Sequence, residues 1–388
     1  MEREASKMFF SLIRSAIGGA MLSNDEKNLF SREMLPELIA LAKRHDIAQL
    51  LAIALIDNGL VSNGSSGARN EIAKAVYRYE LLRHELSSLC VVLEDAKIAH
   101  VALKGATMRN YYPKPYMRTS SDVDILVRPD DVERAVAVLT DSSYELIGRG
   151  LHDVSFQSPS KQLIELHFDL LEEGRLDNSS DIIKVLRSAW EYAVRVDGYE
   201  YRYELSDEFF YFYHIAHMAK HFEGGGCGIR PFIDLYLLEK EKERRGERDA
   251  LLSEGGLLTF AEAARGLMRV WFLNEPHSEL TEKMENYLLS GGLFGSIENR
   301  VSARQKKHGG KVGYIFSRIF APYEKLRGYY PILEKHRWLT PLMQVRRWFM
   351  IFKPGIAKMA KDELRANKSS NKNDAEMINE LLCELELQ

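Results

Sequence analysis

Apolar residues recur three and four positions apart over long stretches of this chain and two apart only in a short middle segment. That pattern predicts helices enclosing a small strand-rich unit. Leu35, Leu38, Ile39 and Ala42 follow a capping residue, Ser31, and read as one helix. SNGSSG at Ser62–Gly67 reads as a loop. From about Glu71 to Lys97, Ile72, Val76, Leu82, Leu86, Leu89 and Leu93 then share one broad face of a long helix.

The period changes at His100. HVALK at His100–Lys104 is strand-like, and Gly105 opens a short helix that Pro113 must end. DVDILV at Asp122–Val127 is a second strand, and Pro129 starts a helix with Val132, Ala135, Val136 and Leu139 inward. VSFQ at Val154–Gln157 and LIELHF at Leu163–Phe168 supply further strands. Helical spacing returns after Ser206, an N-terminal signature strengthened by Asp207 and Glu208, and that helix runs to Phe222. GGGCG at Gly224–Gly228 is a turn without the Gly-Lys-Ser/Thr ending of a P-loop, and a second helix follows from Arg230. KSSNKND at Lys368–Asp374 reads as a polar linker before an amphipathic helix carrying Met377, Ile378, Leu381, Leu382 and Leu385. No repeat of fixed period is present. The divisions expected are 1–97 helical, 98–205 strand-bearing core, 206–292 helical, 293–366 basic and helical, and 367–388 linker with a short helix.

Composition narrows the class. Of 388 residues, 45% are hydrophobic and 28% charged, which fits a globular chain and excludes a mostly disordered one. A net charge of −3 makes no global demand for nucleic acid. Cys90, Cys227 and Cys383 form no CxxC pair or even framework, so a reducing cytoplasm is expected. Acidic residues and Arg14 interrupt the first apolar stretch, which argues against a secretion signal. No run reaches the ~20 apolar residues that a membrane span needs.

Two-residue alternation places Asp122, Asp124 and Leu126 on one strand face, and Val123, Ile125 and Val127 on the other. The two carboxylates then project together within ~7 Å, close enough to raise one pKa or recruit a cation. Ser120 and Ser121 before them suggest a water-accessible strand mouth. In LIELHF, Glu165, His167 and Asp169 face one way while Ile164, Leu166 and Phe168 face the other. Carboxylates on two strands of one unit suit hard divalent cations and phosphoryl or nucleotidyl transfer.

Gly105, then Asp122-Val123-Asp124, then Ile164-Glu165-Leu166 resembles the nucleotidyltransferase superfamily related to DNA polymerase beta. More closely, LKG, YYPKPYMR, SDVDILV, IELHF, HIAHMAKHF and IRPFIDLYLL, in that order, resemble the bacterial uncharacterised nucleotidyltransferase family. The later YYPILEKHRWLTPLMQVRRW is similar to a tail found among its members, so the likeness spans about Leu38 to Trp348. The resemblance implies an α+β fold, a small mixed sheet with helices on one side, embedded between N-terminal and C-terminal helical regions. It implies an NTP substrate, two Mg²⁺ ions with Mn²⁺ as a substitute, and release of pyrophosphate. Asp122, Asp124 and Glu165 would be the catalytic metal ligands, with Glu165 alternatively a general base. Gly105 would let backbone approach the phosphates. The usual Gly-Ser or Gly-Gly turn is replaced here by Lys104-Gly105-Ala106, so Lys104, Thr107 or Arg118 would stand in for the missing serine, with Ser121 also nucleotide-facing.

His214, His217 and His221 form one helical stripe beside Lys220, and Arg230 and Asp234 are spaced to pair with each other. With His167, the residues His217, Lys220, His221, Arg230 and Asp234 make a candidate acceptor wall. Zinc on two of these histidines plus Asp234 is the alternative, and a purely structural interface is another. Between Arg300 and Ala360, fourteen lysines and arginines face only Glu324 and Glu334, with aromatics interleaved. Nucleic acid would suit that pattern, but a solvated face balancing the acidic remainder is preferred. The acceptor expected is therefore a small molecule, glycan precursor or protein hydroxyl. RNA and a non-catalytic nucleotide- or partner-binding role are the alternatives.

Overall fold

The computed structural model describes residues 3–170, 179–240, 244–292, 295–307 and 309–323, and between 326 and 387 all but 328, 329, 331, 353, 370 and 371. Five helices precede the sheet: α1 (Arg3–Gly18), α2 (Asn24–Asn28), α3 (Leu35–Arg44), α4 (Ala48–Asp57) and α5 (Ser66–Asp95). The sheet comprises β1 (His100–Ala102), β2 (Asp122–Val127), β3 (Glu145–Arg149), β4 (Asp153–Gln157), β5 (Leu163–His167), β6 (Ala193–Arg195) and β7 (Arg202–Leu205). Within it lie α6 (Gly105–Met108), α7 (Val132–Asp141) and α8 (Ser179–Arg187). After it come α9 (Asp207–Glu223), α10 (Arg230–Leu238), α11 (Arg245–Glu254), α12 (Leu258–Leu273), α13 (Glu279–Leu289), α14 (Ile297–Lys307) and α15 (Lys311–Ile319).

The α+β class is as the resemblance implies, but the sheet is larger. Seven strands run in the order β3-β4-β5-β2-β1-β7-β6. β2 lies parallel to β5 and antiparallel to β1, while β1 lies parallel to β7. β3, β6 and β7 escape sequence reading because their burial does not alternate; all of β3 is exposed, as an edge strand with charged ends can be.

Strand alternation sorts the two faces. Val123, Ile125, Val127, Phe156, Ile164 and Leu166 pack beneath Leu82, Leu89 and Leu93 of α5 and the apolar stripe of α7. On the opposite face Val101, Leu103 and Leu126 join a larger core shared by α1, α3, α4 and α8–α13. Helices thus cover both faces in part, where one covered side was expected. α4 and α9 are apolar almost all round, and each is buried on nearly every side as that composition requires.

Two local expectations need correction. The predicted loop at Ser62–Gly67 gives way to helix already at Ser66. Most of the expected linker Lys368–Asp374 is helical, because Pro354–Ser369 and Lys372–Glu384 are both helices. The last helix packs inward, with Ile378, Leu381, Leu382 and Leu385 in the principal core. The GGGCG segment is a turn, with Gly225 and Gly226 at φ of 120° and 125°, and a Cβ on Gly225 would meet Ser296 and Arg300 backbone at 3.0 Å.

Removing apolar volume between β2 and its helices should be costly, whereas the sheet edge should tolerate it. Ile125→Ala is expected to lose about 2–5 kcal/mol in chemical denaturation. Leu146→Ala, on exposed β3, should stay within about 0.5 kcal/mol.

Candidate active site

Because β2 and β5 are parallel and in register at Asp124 and Glu165, their carboxylates emerge side by side on the face away from α5 and α7. Asp124 is buried, and its Oδ1 accepts from Lys104 Nζ at 2.7 Å and His167 Nε2 at 2.9 Å. His167 Nε2 also lies 3.5 Å from Glu165 Oε2. Donor atoms of Asp124, Glu165 and His167 all fall within 4.8 Å of one another. Asp122, expected as a ligand, is not among those converging atoms, and His167, expected on the acceptor wall, is.

Electrostatics follow from this crowding. Burial alone would raise the Asp124 carboxyl, but Lys104 and the hydrogen bond from His167 outweigh it and hold it well below the usual carboxylate range. Asp122 moves the other way, pushed up by burial and then by Asp124. Burial would discharge Lys104, yet the Asp124 and Glu165 carboxylates keep its ammonium charged. His167 is likewise held above its ordinary value against burial, chiefly by hydrogen bonds to Asp124 and Glu165. Two hydrogen-bond donors, the Lys104 ammonium and the His167 ring, therefore meet at one carboxylate oxygen.

Lys104 reaches Asp124 from a strained turn. Ala106 N–H donates to Leu103 O at 3.1 Å, closing a β-turn with Lys104 at φ 44°, ψ −116°. That is the first central position of a type II′ turn, normally glycine's, and costs a side-chain-bearing residue about 1–3 kcal/mol. Gly105 follows because a Cβ there would meet Ser120 Cβ and Oγ at 3.1 Å and Arg118 Nη1 at 3.2 Å. The protein's own packing thus requires this glycine. Thr107 donates its hydroxyl to Ala102 O at 3.0 Å, and Ser121 is exposed at the strand mouth.

The segment between the turn and β2 is anchored by long-range polar bonds. Arg118 forks onto Asp234, with Nη2 donating to Oδ2 at 2.8 Å and Nε to Oδ1 at 3.2 Å. Tyr112 donates its hydroxyl to the same Asp234 at 2.6 Å. Arg230 instead bonds Asp46 at 2.9 Å and Thr119 O at 3.1 Å. The expected Arg230–Asp234 pair therefore does not form, because Arg118 offers Asp234 a planar fork with two parallel bonds. Arg118 is correspondingly a structural tie and not a phosphate clamp with a free fork. The zinc alternative fails for the same reason, since Asp234 faces Arg118 and Tyr112 and His214 bonds Pro231 O at 3.0 Å.

Arg109 was not singled out by sequence, yet it is the distinctive cation here. It is 5% exposed, donates to Ser120 Oγ and to Arg118 O, and forms no ion pair with a carboxylate among the described residues. Burial, then Arg118, push its guanidinium down to about 10. It is a buried cation beside Gly105 and Ser120 whose charge Asp122 offsets without an ion pair among the described residues.

A family model described as "Uncharacterised nucleotidyltransferase" matches residues 32–272, more than half of the chain. The chain belongs to this nucleotidyltransferase family. No curated protein and no solved structure matches it. The match takes in every site residue of this nucleotidyltransferase and stops before the tail around Trp338–Trp348.

Helix α9 brings Tyr213 and His217 within electrostatic reach of Lys104, and Tyr213 within reach of the carboxylates. Tyr213, His217 and His221 succeed one another at four-residue spacing, and His221 and His217 Nε2 atoms lie 3.2 Å apart. Burial and then His221, with Lys104 also contributing, hold His217 well below its ordinary value, so its imidazole is neutral. Tyr213 stays protonated, its hydroxyl raised by burial and by the Asp124, Glu165 and Asp122 carboxylates. Tyr213 could have been found by extending the histidine stripe one turn back. Asp46 could not, since it lies 184 positions from Arg230.

The Asp234 carboxyl is held below its ordinary 3.8 by Arg118, against burial. A lowered carboxylate stabilises the native state above its unfolded pKa, and that stability is lost as pH falls through the native value. Asp234→Asn is expected to cost about 3–5 kcal/mol at neutral pH by leaving Arg118 unpaired. It should also flatten the acid limb of a stability–pH profile measured by urea unfolding.

Proposed function

We propose that the protein moves a nucleoside monophosphate from an NTP to a hydroxyl or phosphate acceptor, with pyrophosphate release and dependence on a divalent cation. The observation that carries this reading is the convergence of Asp124, Glu165 and His167 within 4.8 Å, in a chain of nucleotidyltransferase ancestry. The donor set fits a hard cation, since two carboxylates contribute oxygen and Asp124 already draws the Lys104 ammonium and the His167 ring. Mg²⁺ is the expected ion, and the imidazole makes Mn²⁺ an acceptable substitute. Asp124 and Glu165 would hold it, with Asp122 close enough to share a second. Such an ion polarises phosphoryl oxygens and neutralises developing charge.

The side chains then divide the work. Lys104 and Arg109 flank the Gly105 turn and carry the charge of the β- and γ-phosphates. Glu165, 28% exposed at its side chain, reaches the acceptor side and takes the proton from the attacking hydroxyl. The new bond forms between acceptor oxygen and the α-phosphorus as the bond to the β-phosphate oxygen breaks, and the pyrophosphate leaves against Arg109. Neutral His217 and protonated Tyr213 line the acceptor approach from α9. The acceptor itself is a small molecule, glycan precursor or protein hydroxyl.

Calorimetric titration of ATP, CTP, GTP and UTP, with and without Mg²⁺, tests this directly. One nucleotide should bind tightly only with the metal, and Asp122→Asn/Asp124→Asn should abolish that binding. Metal-independent binding, or none by any nucleotide, would overturn the reading. Arg109→Ala should weaken the same nucleotide about ten- to a hundredfold, the worth of a charge-assisted bond to phosphate.

A further inference from the structure

Beyond the matched family region, two helices carry apolar residues on both their inward and outward faces. α15 buries Tyr314 against Val301 and Ala366, yet turns Val312, Phe316 and Ile319 outward at i, i+4 and i+7. Helix Thr340–Phe349 buries Met343 with Leu326 and Leu333, yet turns Leu342, Val345 and Phe349 outward at i, i+3 and i+7. A helix apolar on both sides needs cover on both.

The two outward stripes are one surface. Phe316 stacks on Phe320 at 6.2 Å, and Phe320 meets the edge of Trp348 at 5.7 Å. Trp348 donates its indole N–H to Ile319 O at 2.8 Å, pinning the second helix to the end of the first. Phe349 and Phe352 extend the band at 6.2 Å, and Trp338 stands 76% exposed beside it. Lys335, Arg337, Arg346 and Lys358 of the same segment are exposed as well. Across residues 300–360 the fourteen lysines and arginines again meet only two glutamates.

We propose that this face docks on the surface of an anionic lipid bilayer. Charge decides the occupant. A second copy would present the same positive face and be repelled. Single-stranded nucleic acid would match the charge and could stack on the rings, but it would leave the aliphatic Val312, Ile319, Leu342 and Val345 uncovered, which an apolar layer would not. An anionic bilayer supplies both the negative headgroups for the basic rim and an apolar layer for the stripes, with aromatic rings at the boundary between them. The enzyme would lie on the membrane without crossing it, as no helix among the described residues is long and apolar enough to span one.

Sedimentation of the full chain with vesicles of phosphatidylcholine alone, and with added phosphatidylglycerol, tests this. Binding should require the anionic lipid, fall steeply with salt, and shift tryptophan emission to the blue. Phe349→Glu/Phe352→Glu should weaken it at least about tenfold. Arg346→Glu should weaken it about fivefold or more, roughly the contribution of one basic residue at such a surface. Both variants alter exposed positions, and unchanged melting curves would show them folded. The proposal falls if the chain stays unbound to anionic vesicles at low salt, or binds neutral and anionic vesicles alike. It falls equally if the phenylalanine substitutions abolish a concentration-dependent dimer, or RNA binding, in a chain that does not bind vesicles.

Discussion

The buried ion pair between Arg118 and Asp234 is the constraint on which the rest of the site depends. Asp234 is fully buried and accepts from both Arg118 and Tyr112. Taking both charges out of water is costly, and the pair is tolerable only because the fork is bidentate and the remaining oxygen lone pairs are occupied. Its geometric effect is to fix the segment leading into β2 against α10. Gln49 of α4 adds a bond to Met117 O at 2.7 Å, and Asp46 holds Thr119 and Arg230. The approach to Asp122 is thus fastened from the N-terminal helices and from the helices after the sheet at once. This explains why α1, α3, α4 and α8–α13 share one core.

A second consequence lies in the charge balance around Asp124. Three carboxylates face Lys104 and His167, and the strained Lys104 backbone brings the ammonium onto the most buried of them. Strain of that kind persists where surrounding structure over-determines it. Here the β-turn bond to Ala106 and the Leu103 N–H bond to Asp124 O, at 3.0 Å, do so. Lys104 therefore stabilises the carboxylate and holds a place beside the phosphates in the proposed reaction. Arg109 forms no such ion pair among the described residues and donates instead to Ser120 and to Arg118 O.

Much of this was legible in the chain itself. Alternation of polar and apolar residues in DVDILV and LIELHF assigned Asp122, Asp124, Glu165 and His167 to one face, because strand geometry has a strict period of two. Helical spacing gave α5, α7 and α9 and the histidine stripe, since i and i+4 positions must stack. Strands β3, β6 and β7 were not legible, because short strands whose burial does not alternate carry no such period. The pairing of Arg118 with Asp234, and the desertion of Arg230 to Asp46, depend on which helix docks where. Spacing within one helix cannot report that.

By itself the sequence determined that Asp122 and Asp124 share one strand face and that Glu165 and His167 share another, because local periodicity suffices for that, and its family resemblance supplied the α+β class. Tertiary structure alone decided that His167 joins the carboxylates and Asp122 stands outside the tight cluster. It also decided that the Arg118 fork is spent on Asp234, that Arg109 is buried without a carboxylate ion pair among the described residues, and that the C-terminal apolar stripes face outward. Each of these depends on contacts between elements far apart in the chain, and burial, which sets charge and reactivity, exists only once those elements have packed.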